Sequence, residues 1–237
     1  MMDSPLIPIG VREAVHEVPD ELSSAGLGLR KEVVSLNEEA ALLRLLDSKP
    51  WETQLSRRTQ HYGWRFEYET KSCARANESV PPLLKELVAN RLQASDVPWE
   101  ADDYLQCTIN EYLPGNGIAP HVDTHEAFED GIVALSLGSG VALRLKRSSE
   151  KAPHFLWLPP RSLVIYRGEV RYAYTHGIVS RKGDLVDGEW RFRERRVSIT
   201  LRRVNTAARC HCAYPHFCDA RDAPKFLPTR LKKPPAS

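Results

Sequence analysis

Three side chains able to share one metal ion follow each other along this sequence as imidazole, carboxylate, imidazole: His121, Asp123 and His176. Two histidines and one carboxylate are the ligand set of a non-haem Fe(II) centre that keeps coordination positions open, and they point to an oxygenase. A His-x-Asp tripeptide alone is a weak signal, so the spacing has to be justified. Residues i and i+2 of a strand point to one face, so His121 and Asp123 can converge on a metal as a clip. The third ligand must come from another strand, and His176 sits in an aromatic, β-prone run, Tyr172 to Gly177, able to deliver it. The competing reading leaves these side chains unrelated, on loops or in satisfied core positions.

Between Arg195 and Val204 strict alternation puts Val197, Ile199 and Leu201 on one face of a strand and Arg196, Ser198, Thr200 and Arg202 on the other. Buried guanidinium groups need anions, and a dicarboxylate such as 2-oxoglutarate offers one at each end, matched to the planar fork of arginine. Arg196 and Arg202 lie about 20 Å apart along such a strand, so they would serve different ends of the ligand. Asn110 and Tyr112 form another i, i+2 pair able to add neutral hydrogen bonds from a neighbouring strand. The alternative is an exposed edge strand whose charges discourage aggregation.

The odd count of five cysteines, with no hydrophobic leader ahead of them, argues for a reducing compartment: the cytoplasm first, with the nucleus as a further location. Cys210, Cys212 and Cys218 fall within nine residues, which suits thiolate ligands of a structural Zn2+ that still needs one donor for a closed tetrahedron. His211, His216 and the distant His125 are candidates. A ligand on the residue adjacent to another, as His211 would be, points away from it, whereas His125 would staple the C-terminal segment beside the iron clip. Packing as small hydrophobes is the alternative for these thiols, and is the reading for Cys73 and Cys107.

The elements that must position these groups can be read more coarsely. A 237-residue chain with 42% hydrophobic content can bury the core of one large domain, and its net charge of +2 does not announce a nucleic-acid binder, so any such surface must be local. No apolar run approaches the ~18 residues of a membrane span. Residues 1–30 show no period and read as an N-terminal arm. The domain then runs over 31–220, its zinc segment at 205–220, ahead of a mobile basic, Pro-rich tail at 221–237. Ser35 to Glu38 makes a capping box before a stripe of Leu42, Leu45 and Leu46. Pro81 opens a second stripe of Leu84, Leu87, Val88 and Leu92. Short β-type runs follow at 104–112, 131–137, 141–146, 154–158, 162–167, 172–177 and 195–204. Many short strands after two helices imply a mainly β, α+β fold: a double-stranded β-helix of jelly-roll type with helices packed on one face.

Taken together, Asn110-x-Tyr112, His121-x-Asp123, His176 and Arg196-x-Ser198-x-Thr200-x-Arg202 resemble the AlkB family of Fe(II)- and 2-oxoglutarate-dependent dioxygenases. Residues 109–130, 136–139, 160–163, 168–172 and 175–178, with the tail from Cys210 to Asp219, are similar to the branch that hydroxylates modified wobble uridine in tRNA. The resemblance covers roughly residues 30–220. It implies iron on His121, Asp123 and His176, 2-oxoglutarate held by Asn110, Tyr112, Arg196, Ser198 and Arg202, and His125 as fourth zinc ligand beside Cys210, Cys212 and Cys218. It also implies the chemistry: O2 and 2-oxoglutarate are consumed, succinate leaves, and a substrate C–H bond is hydroxylated, the substrate being a 5-methoxycarbonylmethyluridine-type nucleoside in tRNA. Two departures bear on this. The branch carries an RNA-recognition module and a methyltransferase for which this chain has no room, so the tRNA methyltransferase would be a separate partner. The segment from His176 to Arg196 is also short, which alters the rim of the pocket. The enzymatic rival is an oxidative demethylase of N-alkylated bases in RNA or DNA. A rival of another class is a non-catalytic RNA-binding adaptor, against which the intact ligand set stands.

For substrate contact the segment from Arg57 to Tyr68, with cations beside aromatics, matches the place where AlkB-type enzymes carry their nucleotide-recognition lid. Arg57, Arg58 and Tyr62 are its first candidates. The same spacing also suits Tyr62, Trp64, Phe66 and Tyr68 as the packed face of a hairpin. Lys225, Arg230, Lys232 and Lys233 could add nonspecific attraction to RNA, the alternative being a basic tail that is simply solvated.

Overall fold

The computed structural model describes Pro8 and residues 10–54, 56–67, 69–93, 95–100, 102–207 and 210–218; Tyr68 and the expected tail 221–237 lie outside them. In chain order the elements are α1 (Asp20–Ser24), β1 (Leu27–Arg30), α2 (Leu36–Asp47), β2 (Arg58–Tyr62), β3 (Trp64–Glu67), β4 (Ser72–Arg75), α3 (Pro82–Arg91) and β5 (Leu105–Tyr112). There follow β6 (Ile118–His121), β7 (Ile132–Gly138), β8 (Val141–Arg147), β9 (His154–Leu158), β10 (Leu163–Tyr166), α4 (Gly168–Ala173), β11 (Tyr174–Ile178), β12 (Gly183–Val186), β13 (Glu189–Phe192) and β14 (Arg196–Arg203).

Two antiparallel sheets carry the architecture: six strands in the order β1-β10-β7-β14-β5-β2, and four in the order β6-β11-β8-β9. The alternation of β14 decides which side of the large sheet does what. Val197, Ile199 and Leu201, with Cys107 and Ile109 of β5, face outward into a core shared with Leu42 and Leu46 of α2 and Leu84 of α3. Each such side chain contributes about 1.5–3 kcal/mol of burial, which fixes the register of the strand. The opposite face turns toward the small sheet, where Ile132, Ala134, Val164 and Tyr166 meet Leu143, Leu145, Leu156 and Leu158 in a second core. This is the mainly β jelly-roll with helices on one face that the patterning predicts.

The Ser35 capping box forms: its hydroxyl accepts from the Glu38 N–H, and the Glu38 carboxylate accepts from the Ser35 N–H. The α2 stripe is Leu42 and Leu46 with Leu43 packed beside them, rather than Leu45. Within the stretch read as an arm, β1 pairs with β10 and so forms an edge of the large sheet. The run 172–177 becomes a strand only at Tyr174. Before it, Gly168 adopts φ +50° and gives its N–H to Asp130, starting the short helix α4, which buries Val170, Arg171, Tyr172 and Ala173 consecutively. At Gly63, φ is +71° and an added Cβ would lie 2.3 Å from the Leu105 carbonyl oxygen, so only glycine can turn β2 into β3.

Candidate active site and metal centres

His121 ends β6 and His176 lies directly opposite it on β11, paired in register; Asp123 follows two residues beyond β6. The three offer ligand atoms that all lie within 4.8 Å of one another, with His176 Nε2 4.0 Å from Asp123 Oδ2. The two imidazole centroids are 4.4 Å apart. Gly177 permits this approach, since a Cβ there would sit 2.9 Å from the Ile118 carbonyl oxygen and against Pro120. The Ala119 carbonyl lies 2.9 Å from His121 Nδ1 and can only accept, so Nδ1 carries the proton and Nε2 keeps the lone pair a metal needs. Burial, reinforced by His121, pushes the His176 pKa down to about 3, leaving a neutral imidazole. Burial alone would raise the Asp123 carboxyl, but Arg202 and the two histidines outweigh it and hold it below the usual carboxylate range. Two imidazoles and one ionised carboxylate fit a divalent transition metal.

The face of β14 turned toward the small sheet meets the matching face of β5 residue by residue: Arg196 opposite Tyr112, Ser198 opposite Asn110, Arg202 opposite Gln106. Arg202 reaches both carboxylate oxygens of Asp123, at 3.2 and 3.0 Å, and the Gln106 side-chain oxygen at 3.0 Å. Arg196 is 4% exposed, lies over the Tyr112 ring at 5.3 Å and donates from one Nη to Ser136 Oγ. Its Nε and other Nη are buried and meet no acceptor among the described residues. A buried guanidinium edge without an acceptor is costly, and a carboxylate of a dicarboxylic acid supplies the fork it lacks. The expected co-substrate set, Asn110, Tyr112, Arg196, Ser198 and Arg202, is therefore gathered on one wall, with Arg202 at the metal end and Arg196 remote from it.

His125, Cys210, Cys212 and Cys218 form a second cluster whose ligand atoms also lie within 4.8 Å of one another. His125 Nδ1 is 3.4 Å from Cys212 Sγ, and its ring stands edge-on to Tyr172. Of the three histidines weighed as a fourth donor, His125 is the one that lies in this cluster. Three thiols and an imidazole closing on one point fit tetrahedral zinc. No disulfide joins cysteines among the described residues.

The substrate candidates separate. Arg57 stays with the site, its Nε donating to Asn110 Oδ1 at 2.8 Å. Tyr62 is 2% exposed in the helix-side core, where its hydroxyl donates to Gln60 Oε1, so it cannot stack on a base. Arg58 also faces that side and is committed to Glu111. The reason is strand parity: in β2 residues 58, 60 and 62 share the helix face, while Thr59 and His61 turn inward. Trp64 and Phe66 pack with Phe128, as the hairpin alternative has it.

Arg171 is among the buried residues that the sequence left without a role. It is 3% exposed and donates to the carbonyls of Asp123, Thr124 and Phe128. It thereby holds the segment that carries both Asp123 and His125, from a position five residues before His176. Its sequence signal was its place in the Gly168 to Tyr172 stretch, and periodicity could not reveal it because α4 is too short to show one. Gln106 and Thr108 were also missed, and the signal that could have found them is their i, i+2 continuation of Asn110 and Tyr112.

A family model described as the 2OG-Fe(II) oxygenase superfamily matches residues 30–202, which span every residue of the iron and co-substrate sets. The chain belongs to the 2OG-Fe(II) oxygenase superfamily. Within it the chain is AlkB-like and a 2-oxoglutarate-dependent oxygenase. It is 36% identical over 232 residues to the Arabidopsis thaliana "Alkylated DNA repair protein ALKBH8 homolog", covering 87% of this chain and 66% of that protein. It is 33% identical over 237 residues to the Xenopus tropicalis "tRNA (carboxymethyluridine(34)-5-O)-methyltransferase alkbh8", covering 89% of this chain and 36% of that one. The chain thus spans about two thirds of the first relative's length and about a third of the second's. Among solved structures, that of OsALKBH1 superposes with a TM-score of 0.59 at 16% identity, covering 76% of this chain and 97% of that one, which shows the shared fold. No helix among the described residues of this AlkB-like oxygenase is long and apolar enough to cross a membrane.

Proposed function

We propose that this chain hydroxylates a modified wobble uridine of the 5-methoxycarbonylmethyl type in tRNA, with Fe(II) on His121, Asp123 and His176 and 2-oxoglutarate on Asn110, Tyr112, Arg196, Ser198 and Arg202. The observation that carries this reading is the oxygenase ligand set lying within a stretch aligned along 89% of the chain to a relative named for carboxymethyluridine at position 34. Methyl transfer to that acid gives the methyl ester, whose CH2 next to the carbonyl is the position an oxygenase can attack. The balance is one O2 and one 2-oxoglutarate consumed, one succinate and one CO2 released, and one oxygen inserted into that C–H bond.

When bound, the iron with its co-substrate supplies the oxidant for that C–H bond. The protein's own part is positional. Ala119 aims His121, and Arg202 keeps Asp123 ionised while leaving it able to give one oxygen to the metal. Arg196 takes the remote carboxylate, which sets the direction in which 2-oxoglutarate enters. His125, Cys210, Cys212 and Cys218 would hold zinc as a structural tie for the C-terminal segment. A tRNA methyltransferase activity supplies the ester.

The test is mass spectrometry of tRNA nucleosides after incubation with the purified chain, Fe(II), 2-oxoglutarate and ascorbate. The expected product is the methoxycarbonylmethyl nucleoside carrying one added oxygen, with succinate in equal amount and no formaldehyde. Formaldehyde with loss of an N-methyl group would replace this reading by base demethylation. RNA binding without succinate would replace it by an adaptor role.

A further inference from the structure

Among the described residues, the β2 edge of the large sheet has an unpaired position at His61. On the outer side of β2, Thr59 exchanges both backbone hydrogen bonds with Glu52, at 2.9 and 2.8 Å. Four residues on, Gly63 donates to the Glu78 carbonyl and accepts from the Ala76 N–H. Alternation along an antiparallel strand turns the N–H and C=O of His61 to that same outer side, and no hydrogen bond among the described residues reaches either. They open into a cavity of about 250 Å3 lined by Trp51, Glu52, His61, Arg65, Arg75 and Asn77, among others.

We propose that this notch is a second nucleobase subsite, taking an unstacked base of the RNA strand that flanks the target nucleotide. The proposal rests on the reading of the substrate as RNA. In an extended residue the N–H and C=O lie side by side and parallel, a donor next to an acceptor. Every nucleobase presents a complementary acceptor and donor on its Watson–Crick edge, and single-stranded RNA is read on those edges. The volume is just below the ~300 Å3 at which sites for larger small molecules begin, so it suits one planar ring system. Trp51 supplies an aromatic wall. Arg65 and Arg75 bring cations to the rim, although Arg65 is paired with Glu52 and Arg75 lies over Trp64 while donating to the Asp103 carbonyl. The notch is also joined to the metal site. His61 Nδ1 lies 3.3 Å from Thr108 Oγ1, which accepts from Gln106; Gln106 accepts from Arg202, and Arg202 holds Asp123. A base seated on His61 would thus bear on the strand that lines the iron cavity.

The experiment uses the full chain and an unmodified single-stranded RNA oligonucleotide bearing a fluorescent label, so it does not depend on turnover of any modified nucleoside. Three variants are compared by fluorescence anisotropy. Asn77→Trp fills the cavity from an exposed position. His61→Pro removes the outward N–H at an edge site where proline is tolerated, and His61→Ala removes only the imidazole. Expected are an affinity loss of about tenfold for Asn77→Trp and His61→Pro, near wild-type binding for His61→Ala, and photocrosslinks from 4-thiouridine RNA to the 51–78 segment. Binding within twofold of wild type in Asn77→Trp, with crosslinks elsewhere, overturns the subsite and leaves the hydroxylase reading standing. Lost binding in that variant together with failure of wild-type tRNA hydroxylation sustains the subsite and overturns the hydroxylase reading.

Discussion

The two candidate metal clusters of this molecule share one short stretch, Asp123 to His125, yet they are built in opposite ways. The iron set hangs on paired strands: β6 and β11 fix the histidines, and Arg202 of the large sheet fixes the carboxylate. The proposed zinc set gathers one side chain from a loop and three from a segment, 210–218, that has no helix or strand of its own. A set supported by strands can survive without its ion, and its open positions serve chemistry. A set made from irregular chain needs its ion for order, because metal-binding energy there is folding energy. Loss of the first metal should therefore cost activity, and loss of the second should cost stability.

The largest effect that would break this contrast is at the carboxylate. Asp123→Ala is expected to abolish succinate formation while zinc content and circular dichroism stay as in wild type; full turnover would remove Asp123 from the iron set. Arg196→Met should raise the 2-oxoglutarate requirement at least about 30-fold, as for a buried charge pair that loses one partner. The same variant without ligands should melt no lower than wild type, since it deletes a buried cation two of whose three nitrogens lack acceptors. Unchanged kinetics would separate Arg196 from the co-substrate. Arg171→Met is expected to weaken Fe(II) binding about 10–100-fold with zinc retained, as second-layer partners of metal ligands do. Iron affinity equal to wild type would reduce Arg171 to packing. Cys212→Ser should lose zinc and lower Tm by roughly 5–10 °C. A metal analysis finding only iron in the intact protein would defeat that half of the contrast.

The smallest effect concerns pH and lies away from both clusters. Burial would raise the Asp184 carboxyl, but hydrogen bonds from Arg193 and Arg181 outweigh it and hold it low. A depressed folded value means that this stabilisation is present above the ordinary carboxylate range and is lost as pH falls through the folded value. Asp184→Asn should lower stability near neutral pH and flatten the fall of Tm between about pH 6 and about pH 3. A fall as steep as wild type's would show that Asp184 carries none of the acid sensitivity.

What the sequence made legible follows from where period and residue type agree. In β14 the alternation of Val197, Ile199 and Leu201 against Arg196, Ser198 and Arg202 gave both the core face and the ligand face at once. The capping box at Ser35 and the cysteine spacing were equally direct. Strand β6 was not legible, because Ala119-Pro120 breaks any β pattern. Tyr62 and Arg58 were misplaced for want of parity: composition marked the segment as cationic and aromatic, and only pairing with β5 tells which residues turn inward. Arg171 was hidden because its function lies in three backbone carbonyls, which leave no trace in residue types.

The most direct test of the central claim, one ferrous ion shared by side chains from separated strands, is an anaerobic Fe(II) titration with 2-oxoglutarate present, read by the visible absorption of the metal chelate. Wild type should saturate at one iron per chain, and Asp123→Ala should show no saturating band while still holding zinc. An equal band in Asp123→Ala, or none in folded wild type at any iron level, would contradict the account.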